Sequence, residues 1–266
     1  MTSLRDIYHA STKNRDIFFN RYIARPAAVP LIWALQYTRI TPNQVTVGSF
    51  ILALIACLMF VTIPGYWGIL GSVLMLEASY VLDCVDGQLA RLKGQSSKVG
   101  ALFDFLMDEL KAFFFLAAIT TRMIYIDNEP QCWMLWGLWG MVALGSGIAL
   151  TTLVRREEYS GAQQRFDGEH DAAAKPTSII GWGVWLANAV SRWLIHYPSY
   201  MLYLGLAGTM KPYLMIYPAI LWVYFLKTML SVSRRLTALP PGNETEDTKT
   251  EDTKTEETEP KEGDAS

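Results

Sequence analysis

Charge is what this sequence has little of: only 18% of its 266 residues are Asp, Glu, Lys or Arg, while 51% are hydrophobic and 12% aromatic. Soluble domains carry charge on about a quarter of their residues, so a water-soluble globular domain is the first class excluded and a membrane protein is expected. Cysteine is scarce as well. Cys57, Cys84 and Cys132 are odd in number and two of them lie inside apolar runs, which argues against a disulfide framework or a cysteine metal site and leaves them as core residues. The N-terminus, MTSLRDIYHASTKNRDIFF, lacks a compact apolar core followed by a small-residue cleavage site, so no cleaved signal peptide is expected.

The charge that is present is unevenly spread. From Asn243 the tail NETEDTKTEDTKTEETEPKEGDAS holds ten acidic residues against three lysines, so the overall −2 conceals about +5 in the remainder of the chain. The tail has no apolar side chain larger than alanine and cannot bury enough surface to offset the entropy of ordering. Residues 236–266 are therefore read as a disordered acidic tail.

Apolar stretches long enough to cross a bilayer, roughly 17 to 25 residues each, fall at about 44–63, 67–90, 100–121, 132–154, 193–210 and 212–231. The fold class that follows is an all-α integral membrane protein with six transmembrane helices in a catalytic domain over residues 41–235. Residues 1–40 precede it as an interfacial segment. Its apolar part is interrupted by Pro26 and Pro30 and is too short between Arg25 and Arg39 to span, but Trp33 and Tyr37 suit a helix lying at the headgroups. Thr41-Pro42 reads as a helix start, with Thr as the cap and Pro at the first helical position. A further interfacial helix is expected at 178–191, with His196 interfacial rather than catalytic. The small residues between Gly137 and Gly147, Ala143 among them, suit close helix packing or dimerisation.

Basic residues orient the spans. Arg5, Lys13, Arg15, Arg21, Arg25 and Arg39 precede the first, Arg91, Lys93 and Lys98 lie between the second and third, and Arg155, Arg156, Arg165 and Lys175 lie between the fourth and fifth. The opposite connections carry only Arg122 and Lys211. Both termini are then cytoplasmic.

Against this apolar background stand Asp83, Asp86, Asp104 and Asp108, in the stretch VLDCVDGQLARLKGQSSKVGALFDFLMDEL. One Asp at mid-membrane costs about 2.5 to 3.5 kcal/mol on insertion scales, so four together require a shared counter-charge. Single acids near an interface commonly cap or snorkel, but helical spacing binds these into a set. Asp83, Asp86, Gly87 and Ala90 share one helix face, and Gly100, Asp104 and Asp108 share another. Two antiparallel helices joined by a short loop would point both pairs of carboxylates at each other. Such a hard-oxygen site, with no matching cluster of four cations, suits Mg²⁺ or Mn²⁺, and has room in its ligand count for two ions. Gly87 and Gly100 each cost about 1 kcal/mol of helix stability relative to alanine, and with Ala90 they clear bulk from the acidic faces. Arg91 is positioned to pair a phosphate or orient an aspartate.

The pattern Asp83-x-x-Asp86-Gly87-x-x-Ala90-Arg91, eight residues, then Gly100-x-x-x-Asp104-x-x-x-Asp108, resembles the signature of the CDP-alcohol phosphotransferase (CDP-alcohol phosphatidyltransferase) family at each of its specified positions. ITPNQVT, residues 40–46, is similar to that family's usual start of the first span. The resemblance implies a dimeric membrane enzyme that moves a substituted phosphate from a CDP-linked donor to an alcohol acceptor and releases CMP. It implies Asp83, Asp86, Asp104 and Asp108 as metal ligands, with Asp108 also the catalytic base that activates the acceptor hydroxyl. It implies that Asp86, Gly87, Ala90, Arg91 and Gly100 bind the cytidine nucleotide. Arg155, Arg156 and Arg192 are candidates for holding an acceptor phosphate. No organic cofactor and no nucleic-acid partner is implied.

Two other classes also use intramembrane acids. Intramembrane prenyltransferases resemble this chain in having an Asp/Mg²⁺ site, but their pattern includes a second acidic cluster that is lacking here. A cation transporter would leave Gly87, Ala90 and Arg91 without a role. The signature itself does not say which reactant carries the lipid; six spans favour CDP-diacylglycerol as the donor, over a soluble CDP-alcohol with a diacylglycerol acceptor.

Overall fold

The computed structural model describes residues 19–154 and 198–237, together with Ile7 and Trp182. Among the described residues there are helices and no strand. A π-helical turn, Asn20–Ala24, leads into α1 (Arg25–Leu35), followed by α2 (Pro42–Thr62), α3 (Gly65–Leu92), α4 (Lys98–Tyr125), α5 (Cys132–Val154), α6 (Pro198–Ala207) and α7 (Lys211–Thr237). The chain divides into two units, Met1–Thr228 and Met229–Ser266. The first holds Asp83, Asp86, Asp104, Asp108 and Lys111. The second contributes only the C-terminal end of α7 to the described residues.

Among the described residues four helices are long and apolar enough to cross a membrane: Pro42–Thr62, Gly65–Leu92, Cys132–Val154 and Lys211–Arg234. The helix over the expected third span, α4, has 28 residues and reaches about 42 Å, but it is not one of these four. Asp104, Asp108, Glu109 and Lys111 lie within it, so its composition is less apolar than its length would suggest. Of the expected fifth span, Pro198–Ala207 is described. Arg155, Arg156, Arg192, His196, the expected interfacial helix at 178–191 apart from Trp182, and the chain from 238 onward lie outside the described residues, while residues 236 and 237, expected to begin the disordered tail, end α7.

The helix ends follow local chemistry. At the start of α2, Thr41 Oγ1 accepts from Gln44 N at 3.3 Å and Gln44 Oε1 accepts from Thr41 N at 3.0 Å, a reciprocal box with Pro42 in the first turn. At the end of α3, Gly94 takes a positive φ of 66°. Gly94 N donates to Arg91 O, and Gln95 N to Ala90 O, the paired bonds of a Schellman ending. Ser97 then caps α4 by accepting from Gly100 N at 3.0 Å. These two stops confine the α3–α4 connection to a few residues and bring Gly100 back beside the end of α3.

Helix α1 runs through Pro30, where the sequence suggested an interruption. Both Pro26 and Pro30 lie on its exposed side, while Ala28, Val29 and Ile32 pack on Val85 and Leu89. Lys93 Nζ donates to Thr38 O at 2.9 Å and Ile40 O at 2.8 Å, tying the α1–α2 linker to the end of α3.

Helix α2 packs against both aspartate-bearing helices, which touch each other far less. Its seam with α3 is polar at one level: Ser49 Oγ donates to Ser79 O at 2.9 Å and Ser79 Oγ to Ser49 O at 2.7 Å. Small hydroxyl residues allow that approach while satisfying one another away from water. Apolar packing holds the rest, with Phe60, Val73, Phe115, Ile119 and Leu214 in one buried cluster.

Gly137 and Gly140 of α5 serve packing within the chain, whereas a Cβ at Gly147 would meet nothing within 4 Å. A Cβ at Gly137 would stand 2.3 Å from Thr120 Oγ1, and one at Gly140 would stand 2.9 Å from Pro218. Pro218 lacks the N–H that would bond the Leu214 carbonyl one turn back, and the Trp136 indole supplies the donor instead, at 2.8 Å. The cysteines do not share one environment: Cys57 is buried, Cys84 half-buried and Cys132 exposed, all as free thiols. Cys132 thus departs from the core position expected of it, because it begins α5 beside a loop.

Candidate active site and metal centre

Asp83 and Asp86 come from the second half of α3, Asp104 and Asp108 from the first half of α4. Asp83, Asp104 and Asp108 each offer one carboxylate oxygen, and these oxygens all lie within 4.8 Å of one another. This donor set, all oxygen and all anionic, fits a hard divalent cation such as Mg²⁺ or Mn²⁺. Asp86 stands outside that triangle. Its Oδ2 accepts the Thr46 hydroxyl of α2 at 2.5 Å, an orientation that the sequence pattern of α3 and α4 does not reveal.

Two cavities border the acids. The first, of about 250 Å³, is lined by Asp86, Gly87, Ala90, Arg91, Gly100 and Asp104, with Pro42, Asn43 and Thr46 from α2 and the loop residues Gln95 to Ser97. All five residues expected to contact a cytidine nucleotide therefore meet in one space. The Gly87 position is open, for a Cβ there would meet only Arg91 Nη1, at 3.7 Å. At Gly100 a Cβ would stand 3.1 Å from Ser97 Oγ and 3.6 Å from Asn43 Oδ1, so this glycine serves both the capped turn and the cavity.

The second cavity, of about 370 Å³, lies deeper along the same helix pair. Asp83, Asp108, Glu109, Lys111, Ser79 and Tyr80 line it, along with Asn20 and Tyr217. Tyr80 OH donates to Asn20 Oδ1 at 2.5 Å, joining the chain before α1 to this wall.

Lys111 is the residue that the sequence pattern did not single out. Its ammonium pairs with Asp83 and lies 3.0 Å from Asp108 Oδ1. The Lys111 side chain is only 5% exposed, whereas that of Asp108 is 49% exposed. The signal was its spacing, three residues beyond Asp108 and so on the same face of α4. The centre is thus three converging carboxylates with the Lys111 ammonium among them, and Asp86 stands beside this set.

Similar proteins carry related names. A Thermococcus kodakarensis protein called a bifunctional IPC transferase and DIPP synthase is 33% identical over 129 residues, covering 48% of this chain and 26% of its own length. An Aquifex aeolicus protein of the same name is 34% identical over 85 residues, 32% of this chain and 19% of its own. This chain therefore spans about a quarter or less of those two relatives. A Corynebacterium glutamicum phosphatidylinositol phosphate synthase is 27% identical over 184 residues, which cover 64% of this chain and 79% of that protein. Residues 39–211, from the start of α2 through the first residue of α7 and with every signature position inside them, match the CDP-alcohol phosphatidyltransferase family, and the chain belongs to that family.

Proposed function

We propose that this protein is a phospholipid-synthesising membrane transferase that moves a substituted phosphate from CDP-diacylglycerol to a polar alcohol and releases CMP. The observation that carries this reading is the pair of cavities bordering the four aspartates, one lined by Asp86, Asp104 and the nucleotide signature and the other by Asp83 and Asp108. Divalent-metal dependence is general in this family. Two Mg²⁺ or Mn²⁺ ions held by Asp83, Asp86, Asp104 and Asp108 would neutralise charge on the diphosphate and on the departing CMP.

The chain's own groups supply the rest. Gly87, Ala90 and Gly100 leave space for the cytidine nucleotide, and Arg91 pairs its phosphate. Thr46 holds Asp86 toward the same cavity. Asp108 takes the proton from the acceptor hydroxyl, whose oxygen forms the new bond to the lipid-linked phosphorus. The bond from that phosphorus to the bridging oxygen breaks, and its electron pair leaves on CMP. The second cavity is the acceptor side. The names of the relatives make inositol phosphate the first acceptor to try, with Arg155, Arg156 and Arg192 holding its phosphate. Six spans, an interfacial α1, a homodimer and a cytoplasmic active site complete the reading. The exposed Trp33 of α1 and Tyr37 just beyond its end support an interfacial position.

Detergent-purified protein supplied with Mg²⁺ and CDP-diacylglycerol or CDP-linked small alcohols, against inositol phosphate, glycerol phosphate, serine, inositol and diacylglycerol, is expected to release CMP with one pair. Removal of the metal with a chelator is expected to stop release. No release from any pair, together with no binding of cytidine nucleotides, would return the acids to an ion-transport or structural role.

Gly87→Ala separates nucleotide space from helix packing. The added methyl meets only an ordinary contact in the empty protein, and alanine favours the helix by about 1 kcal/mol, so thermal stability is expected to hold or rise. The donor KM is expected to rise at least about tenfold, because the methyl intrudes where the nucleotide packs and weakens its binding by more than about 1.4 kcal/mol. Loss of stability with an unchanged donor KM would make Gly87 a packing residue.

A further inference from the structure

We propose that the Lys111 ammonium is a resident cation of the carboxylate cluster, occupying the place between Asp83 and Asp108 that a second divalent ion needs, so that lysine and ion compete. This rests on the reading of the cluster as a metal centre. Lys111 pairs with Asp83 and with Asp108, two of the three acids whose oxygens converge within 4.8 Å. A first ion can draw on Asp86 and Asp104. A second has to draw on the carboxylates that the ammonium already engages, and the two positive charges repel at short range in a site partly shielded from water.

The surroundings give the lysine somewhere to go. Its ammonium is a compact charge on a flexible four-carbon stem, and the second cavity, of about 370 Å³, is also lined by Glu109. A displaced Lys111 therefore keeps a carboxylate within its own cavity. In the metal-free protein the same ammonium relieves the repulsion between Asp83 and Asp108, so the acids hold their convergent arrangement before any ion arrives. The consequence is an unequal pair of ion sites. The second ion binds weakly until a diphosphate donor, bringing its own negative charge, favours it.

The test is a Mn²⁺ titration of the full-length protein in detergent, followed by the loss of the free-ion electron paramagnetic resonance signal. Wild type is expected to show one tight and one weak ion. Lys111→Met and Lys111→Gln are expected to bind the second ion roughly tenfold tighter or more, while Lys111→Arg keeps it weak. Tightening is a change that loss of packing alone would not produce. Unchanged or weaker second-ion binding in either neutral variant, with the unfolding temperature retained, overturns the proposal, as do two equal ions in wild type. Wild type that binds no Mn²⁺ removes the metal-centre reading itself, and this inference with it.

Discussion

Asp108→Asn is expected to lower the rate of CMP release by about 10²- to 10⁴-fold, the usual worth of a positioned general base. Asparagine keeps the shape of the side chain but cannot take a proton from the acceptor hydroxyl. Asp108 is suited to that task by its surroundings, because it borders the second cavity and its side chain is the most open of the paired acids there, 49% exposed against 16% for Asp83. Asp86 and Asp104 belong to the other cavity, with the nucleotide signature. The variant should therefore bind cytidine nucleotide within a few fold of wild type while turning over far more slowly. Single-turnover CMP release and equilibrium nucleotide binding, measured on the same preparation, separate the two effects. A rate near that of wild type would remove Asp108 from the chemistry, and loss of both properties together would make it a structural ligand instead.

Arg122→Ala is expected to cost at least about 1 to 3 kcal/mol of stability, the range for leaving buried polar groups without their hydrogen-bond partner. The guanidinium is fully buried near the opposite end of α4 from the acids. It donates to Phe60 O at 3.0 Å, Ile63 O at 2.9 Å and Gly65 O at 3.1 Å, and its Nε lies 3.3 Å from Asp127 Oδ2. Pro64 explains part of this need, since it has no N–H to offer the Phe60 carbonyl one turn back. The turn between α2 and α3 is also tight: a Cβ at Gly68 would stand 1.9 Å from Ile63 O. Truncation would leave the Phe60, Ile63 and Gly65 carbonyls without this donor. Arg122→Lys is expected to recover only part of the loss, because one ammonium cannot reproduce the planar fork. Thermal unfolding in detergent measures the cost. Fourteen residues of helix, about 21 Å, separate Arg122 from Asp108, so the activity of the folded fraction should change little. Unaltered unfolding in Arg122→Ala would show that water or other donors satisfy the turn.

The spacing of the acids made most of the site legible, because a helix of fixed pitch turns sequence separation into a face. Asp83, Asp104 and Asp108 converge as that geometry requires, and the start of α2 forms at Thr41-Pro42 as its cap predicts. Orientation about single bonds is not encoded in this way. Asp86 shares the α3 face with Asp83, yet the Thr46 hydroxyl from another helix decides where its carboxylate points. Lys111 escaped notice because a lone lysine in an apolar run reads as a snorkelling side chain until the acids around it are assembled in space. Arg122 and Lys211, expected only as sparse charges on one side of the membrane, are bound into the connections by Asp127 and Glu129. The expected third span has the length of α4, but Asp104, Asp108, Glu109 and Lys111 keep that helix out of the set apolar enough to cross, and α1 continues through Pro30 because the ring falls on an exposed face.

The stacking of two cavities along one helix pair has a stereochemical consequence. In the proposed reaction the acceptor oxygen would approach phosphorus from the level of Asp108 while CMP would leave on the opposite side, at the level of Gly87. Both reactants can be present at once, with no side chain needed to carry the phosphoryl group between them. A phosphorus centre made chiral by isotopic oxygen would then emerge with inverted handedness, the mark of a single in-line exchange, whereas two successive displacements would restore it.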